Sequence, residues 1–260
     1  MRQRWADYRV FWREFRQQYH TTGAVLPSGR ALSRALVHYV RDNGEAHVDE
    51  SAAADSNLAV AEKLPYVGRR ILEVGPGTGA VTGQIIHAMR AEDRLDLVER
   101  NEQFVAQLRA RLANDPAFAA VKDRIRLIYA SVEDLPENEP YDLIVSGLPL
   151  NNFAVETVAQ ILDKLRRLLA PGGTLSFFEY VAVRKAKSLI SPRAERERLR
   201  GIGELFDAML EKHEVRRDLV PLNVTPAWVH HVQFTAGSGE QGAGSKTSGS
   251  LLRAPCSPLQ

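Results

Sequence analysis

The chain has 260 residues, 44% hydrophobic and 25% charged, with a formal net charge of +2. That length suits one packed α/β domain with small additions, and so small a net charge points to neither nucleic acid nor membrane, leaving any basic surface local. The single cysteine, Cys256, excludes an intramolecular disulfide framework and a four-cysteine zinc site, as expected in a reducing cytoplasm.

In chain order, residues 1–42 read as helical. Trp5, Tyr8, Trp12, Phe15 and Tyr19 recur at spacings of 3, 4, 3 and 4, which on a helix is one aromatic stripe. Arg2, Arg9, Arg13 and Arg16 flank it, and residues 1–20 carry a net +3. Such a stripe either packs on a core or lies at a bilayer interface. Arginines interrupt this end too often for a secretory signal, and no apolar run approaches the roughly 20 residues that span a bilayer. Residues 43–62 look like an insertion, a polar loop and then a short Ala-rich helix. Residues 63–236 alternate apolar runs with helical periodicity, which predicts a largely parallel sheet covered by helices. The predicted strands are Arg70–Val74, Arg94–Val98, Ile125–Tyr129, Tyr141–Ser146 and Thr174–Tyr180, with closing strands around Val215–Val220 and Val229–Phe234. Helices are expected over Val81–Met89, Glu102–Leu112 and Val155–Leu169, the last stopped by Pro171-Gly172-Gly173. Residues 237–260 are Gly- and Ser-rich and read as a disordered tail. The expected fold is a Rossmann-like seven-stranded α/β sheet with helices on both faces and an N-terminal helical extension.

The sharpest motif is Glu73-Val74-Gly75-Pro76-Gly77-Thr78-Gly79, between a strand and a helix. Glycines let the backbone turn tightly and approach a ligand without a Cβ clash. Dinucleotide folds space them G-x-G-x-x-G. Here Gly75, Gly77 and Gly79 follow the acid Glu73, which favours S-adenosyl-L-methionine and gives Glu73 the ligand's amino group to bind. Glu99 ends the second strand and suits both ribose hydroxyls. After the third strand an acid for the adenine amino group is expected, and Ser131 stands there, followed by Val132 and Glu133. Either Ser131 or Glu133 could take that role, or Glu133 and Asp134 only cap the next turn. No metal site is indicated.

The fourth strand runs into Ser146-Gly147-Leu148-Pro149-Leu150-Asn151-Asn152-Phe153, where amino-directed methyltransferases hold the acceptor nitrogen. Methyl transfer needs that nitrogen deprotonated, close and aligned, and Phe153 could favour the developing cation through its ring face. Alternatively Gly147 and Pro149 merely shape a turn.

These stretches, with Phe11–Phe15, Thr22–Ser28, Val98–Asn101 and Thr225–Val229, resemble the bacterial phospholipid N-methyltransferases, relatives of the rRNA adenine dimethylases. The resemblance spans roughly residues 8–234. It implies methylation of phosphatidylethanolamine towards phosphatidylcholine by a cytoplasmic enzyme held peripherally on the membrane, with relatives acting on ornithine lipids. It favours bilayer contact for the aromatic stripe. Catalytic candidates are then Leu148, Asn152 and Phe153, walled by Tyr19 and Tyr180, with cofactor contacts at Glu73, Gly75, Gly77, Gly79, Glu99, Ser131, Val132 and Ser146. The expected partners are a phospholipid and an anionic membrane surface, with no nucleic acid. A second basic stretch, Arg184–Arg200, suits a lipid phosphate, an anionic membrane or a solvated helix face. An rRNA adenine methyltransferase and a non-catalytic cofactor-binding membrane protein are the competing readings.

Overall fold

The structure is a computed structural model that describes residues 27–41, 68–180, 192–221 and 226–234. Two short helices, α1 (Pro27–Leu36) and α2 (His38–Arg41), come first. The described chain then resumes and alternates: β1 (Arg70–Val74), α3 (Ala80–Ala88), β2 (Arg94–Glu99), α4 (Glu102–Asn114), α5 (Pro116–Ala119), β3 (Ile125–Tyr129) and β4 (Tyr141–Ser146). It continues through α6 (Val155–Leu168), β5 (Leu169–Tyr180), α7 (Arg193–His213), β6 (Glu214–Val220) and β7 (Ala227–Gln233).

The seven strands form one sheet in the order β3-β2-β1-β4-β5-β7-β6. The first five are parallel, and β7 inserts antiparallel between β5 and β6. The expected α/β fold is therefore the observed one. Strands covered on both faces read as nearly unbroken apolar runs, and Arg70-Ile71-Leu72-Glu73-Val74 and Tyr141–Ser146 do so because alternate residues enter different cores. On one face Leu72, Ile144 and Phe177 pack with Ile161, Leu165 and Phe206 from α6 and α7. On the other, Ile71, Leu97, Val145 and Phe178 pack with Ile85, Phe118 and Leu36 from α3, α5 and α1. Each such fully buried side chain is worth roughly 1.5–3 kcal/mol over leaving it in water.

Three differences from the sequence reading have physical causes. Residues 27–41, grouped there with the N-terminal extension, belong to the sheet's packing. Leu36, Val37 and Val40 are at most 2% exposed, and Arg69, paired with the buried Asp93 at 2.7 Å, donates to the carbonyls of Tyr39 and Val40. Next, β5 begins at Leu169 rather than Thr174. Pro171-Gly172-Gly173 does not end a helix by a loop. It is absorbed as an irregularity in the strand, where the pairing shifts between Tyr141–Leu169 and Leu143–Thr174. Gly172 holds φ at 76°, and a Cβ on Gly173 would lie about 3 Å from three carbonyl oxygens. Finally, α7 is a 21-residue helix where the sequence reading saw chiefly a basic stretch. Its charges run as intrahelical pairs, Arg193 with Glu197 at 2.8 Å and Arg198 with Glu195 at 2.7 Å, while Leu199, Ile202 and Phe206 bury the other face.

Candidate active site

Parallel strands leave their C-terminal ends as the place where loops converge on a ligand. Glu73 stands next to last in β1, while Glu99 ends β2 and Ser146 ends β4, and all three are at most 1% exposed. The glycine loop between β1 and α3 turns with φ of 69° at Gly75, 56° at Gly77 and 82° at Gly79, which side chains rarely adopt. Arg111 on α4 fastens it from behind. Its Nη1 donates to the carbonyls of Thr78 (2.9 Å) and Gly79 (3.0 Å), Nη2 pairs with Asp115, and the guanidinium lies 3.9 Å over Phe118.

Glu73 is the unusual group. It is fully buried, and neither carboxylate oxygen has a hydrogen-bond partner. Burial pushes its carboxyl up to about 8; the Thr82 hydroxyl pulls the other way, and the Glu99 carboxylate adds to the rise. A buried acid without a donor costs free energy that only a cationic or hydrogen-bonding ligand recovers. Glu99 is occupied differently. Oε1 accepts from the N–H groups of Arg100 (2.8 Å) and Asn101 (2.7 Å), and Oε2 from Gly77 N–H (3.1 Å). Burial raises its pKa and these three bonds oppose the rise. Glu99 thus ties the end of β2 to the glycine loop. The residues fit S-adenosylmethionine on one observation above all: an orphaned buried carboxylate beside a loop that needs three positive-φ glycines.

The acceptor loop abuts this cradle. Gly147 N–H donates to Val74 O at 2.8 Å, and a Cβ on Gly147 would meet Gly75 O at 2.8 Å. Leu148 closes against Gly75, where an added Cβ would come within 2.7 Å of its Cδ2. Ser146 Oγ accepts from Leu148 N–H at 3.4 Å. The loop is gripped from α7, where Arg198 Nη1 donates to the carbonyls of Asn151 (2.9 Å) and Phe153 while its other nitrogens hold Glu195.

The structure thus brings together Glu73, Gly75, Gly77, Gly79, Glu99, Ser146 and Leu148. Ser131 and Val132 follow β3, with Val132 buried and the Ser131 hydroxyl donating to Glu133, which occupies both adenine candidates with each other. Asn152 is exposed, and the buried neighbour Asn151 carries the polar atom the loop needs, an Oδ1 with no partner. Phe153 is 4% exposed and packs in the α6–α7 core. Tyr180 is half-buried at the end of β5, edge-on to Phe178, and Tyr19 lies outside the described residues. Sequence reasoning missed Asn151, Arg111 and Arg198. The asparagine was one position away, whereas the two arginines act across 32 to 47 residues with no local signal.

Residues 71–173 match the family model for a methyltransferase domain. An ornithine lipid N-methyltransferase from Singulisphaera acidiphila is 32% identical over 114 residues, 44% of this chain and 59% of that protein. A ribosomal RNA small subunit methyltransferase A from Synechococcus elongatus is 30% identical over 110 residues, 42% of this chain and 38% of that protein. The chain therefore spans less than two thirds of either relative. Among solved structures, magnesium protoporphyrin IX methyltransferase from Synechocystis with bound S-adenosylmethionine superposes with a TM-score of 0.51 at 11% identity, over 80% of each chain. The O-methyltransferase TomG from Streptomyces achromogenes, also with S-adenosylmethionine, gives 0.50 at 16% identity, over 81% of this chain and 82% of that one. At such identities these two show the fold alone. Residues 71–173, the stretch that matches the methyltransferase domain, hold the glycine loop, Glu99 and the loop after β4.

Proposed function

We propose that this protein methylates the amine of a membrane-lipid head group, with phosphatidylethanolamine as the first acceptor. When bound, S-adenosylmethionine supplies a methyl group on a sulfonium that leaves as a neutral thioether. Glu73 would hold its amino group, Glu99 its ribose and the Val132 region its adenine. The protein's task at the acceptor is to bring an uncharged nitrogen in line with that methyl and keep water away. The observation that carries an amine acceptor is the Asn151 amide oxygen. It is buried, unpartnered and set in the loop that presses on the glycine cradle, and an N–H donor would satisfy it.

The lipid head group rests on two supports. One is the resemblance of Thr22–Ser28 and Ser146–Leu150 to phospholipid N-methyltransferases; the other is the relative whose name specifies ornithine lipid. That relative is the observation favouring ornithine lipid as the second reading. The aromatic and arginine-rich sequence of residues 1–20 suits docking on an anionic leaflet from one side, since no described helix is long and apolar enough to cross a membrane.

The test is a panel of acceptors offered with methyl-labelled S-adenosylmethionine. Vesicles containing phosphatidylethanolamine, vesicles containing ornithine lipid and protein-free ribosomal RNA are incubated separately. Label in phosphatidylethanolamine supports the first reading and label in ornithine lipid the second. Label confined to RNA would overturn both.

A further inference from the structure

A lipid amine reaches the site as an ammonium ion, and methyl transfer requires its lone pair. Some group has to take the proton, and the acceptor loop provides none: Asn151 and Asn152 do not ionise, and Leu148, Pro149 and Phe153 carry no base. Glu73 is on the other face of the sheet, beside Thr82 of α3.

The neighbouring strand does carry a base. Val145 of β4 pairs with Ser176 of β5, so extending that register sets Glu179 two residues beyond the level of Ser146, where the acceptor loop begins. The turn Leu150–Asn152 packs against β5. Side chains alternate along a strand, which puts Glu179 on the face of Phe177, the face that also receives Leu148, Leu150 and Phe153. Glu179 is 7% exposed. Next to it on β7, His230 presents Nε2 at 3.8 Å from Glu179 Oε2, and its other nitrogen, Nδ1, lies 2.6 Å from Glu214 Oε1 on edge strand β6. The imidazole is fixed by stacking on Phe177 at 5.2 Å, itself packed on Phe206 of α7. Side-chain exposure is 9% at Glu179, 3% at His230 and 20% at Glu214, so the outer end of the chain of groups is the most open to solvent. Other charged groups on the packed elements include, on β6, Arg217 over the Trp228 ring and the Arg216–Asp218 pair, and on α7 the Arg198–Glu195 pair at the acceptor loop with Glu204, Asp207, Glu211, Lys212 and His213 further along.

We propose that Glu179 is the general base for the acceptor amine and that His230 and Glu214 carry its proton to solvent, a reading that rests on the amine acceptor proposed above. The ammonium N–H bond breaks with its electron pair left on nitrogen, and the proton passes to the Glu179 carboxylate. His230 Nε2 takes it from Glu179, while Nδ1 releases its own proton to Glu214, which gives it to water. The freed lone pair is then available to the methyl group, and His230 is left protonated on Nε2; when product leaves, Nε2 gives that proton to water entering the site and Nδ1 is reprotonated from water through Glu214, which restores the starting tautomer. A carboxylate only accepts, so the resting tautomer of His230 carries its proton on Nδ1, towards Glu214. The 3.8 Å gap exceeds a hydrogen bond and has to close with acceptor in place, as catalytic contacts commonly do.

The experiment compares unmodified protein with Glu179→Gln, His230→Gln and Glu214→Gln on the preferred aminolipid vesicles between pH 6.5 and 10, with cofactor affinity measured by calorimetry. General-base loss should lower kcat at pH 7 by about 100-fold in Glu179→Gln, with cofactor affinity unchanged. The deficit should shrink as pH rises towards about 10, where an alkylammonium loses its own proton. Glu214→Gln, on the edge strand of the sheet, should slow the reaction in dilute buffer and recover as buffer concentration rises. Its imidazole nitrogen spectrum should also lose the Nδ1–H tautomer of His230. If Glu179→Gln and Glu214→Gln both keep the full rate at pH 7, or if the deficit is the same at every pH, the relay is wrong while the amine acceptor stands. If the unmodified protein labels no aminolipid, the amine reading itself falls and the relay with it.

Discussion

At the scale of single residues, Glu73 shows most plainly what the site costs and what it is for. Its carboxyl is raised in the folded protein to about 8 from the ordinary 4.5, so the fold favours the protonated form. Folding is unpenalised below about pH 4.5; the penalty grows as pH rises and is complete above about 8. A difference of that size corresponds to roughly 5 kcal/mol at most. Glu73→Gln keeps the shape and removes the charge. Without cofactor it should melt close to the unmodified protein at pH 5 and above it at pH 8, as followed by calorimetric melting. A variant no more stable at pH 8 than its parent would mean that Glu73 has a partner when ionised. Gly75→Val should fail on two counts, the positive φ and the collision with Leu148, and should lose cofactor binding. Glu99→Ala should weaken binding on the order of 10-fold to 100-fold, one charge-assisted hydrogen bond being worth about 1.5–3 kcal/mol.

At the scale of elements, each of the two ligand loops is held by one arginine from a helix behind it. Arg111 of α4 fastens the glycine loop, and Arg198 of α7 fastens the acceptor loop. Arg198→Ala leaves the Asn151 and Phe153 carbonyls without that donor. It should reduce kcat about 10-fold or more while cofactor affinity holds, with partial rescue by added guanidinium; equal loss of cofactor affinity would show that the clamp supports the whole sheet. These clamps also mark the limit of what the sequence discloses. The glycine loop was legible because close backbone approach admits one residue type, and the strands were legible because burial on both faces enforces apolar runs. The Pro171-Gly172-Gly173 irregularity was not, since the same residues end helices elsewhere. Nor was the choice between Asn151 and Asn152, because a 3-10 turn sets which of two adjacent side chains is buried.

At the scale of the whole molecule, a sheet whose strand ends gather Glu73, Glu99 and the loop after β4 sits between two helical layers, while two stretches singled out in the sequence lie outside the described residues. The aromatic and arginine-rich sequence of residues 1–20 and the basic residues 184–191 both fall there. Removing residues 1–18 should abolish co-sedimentation with anionic vesicles at low salt and leave cofactor binding intact. Equal sedimentation of the two proteins would assign that stripe to packing. The described fold and the cofactor cradle lie within residues 27–234, which the truncation does not touch. The most direct test of the account is therefore a calorimetric titration of S-adenosylmethionine into the unmodified protein and Glu73→Gln at pH 7, in two buffers of different ionisation heat. If Glu73 receives the cofactor's amino group, binding draws off its proton, so the unmodified protein should release protons to the buffer and Glu73→Gln should bind more weakly with less release. Equal affinity and equal proton balance in the two proteins would contradict it.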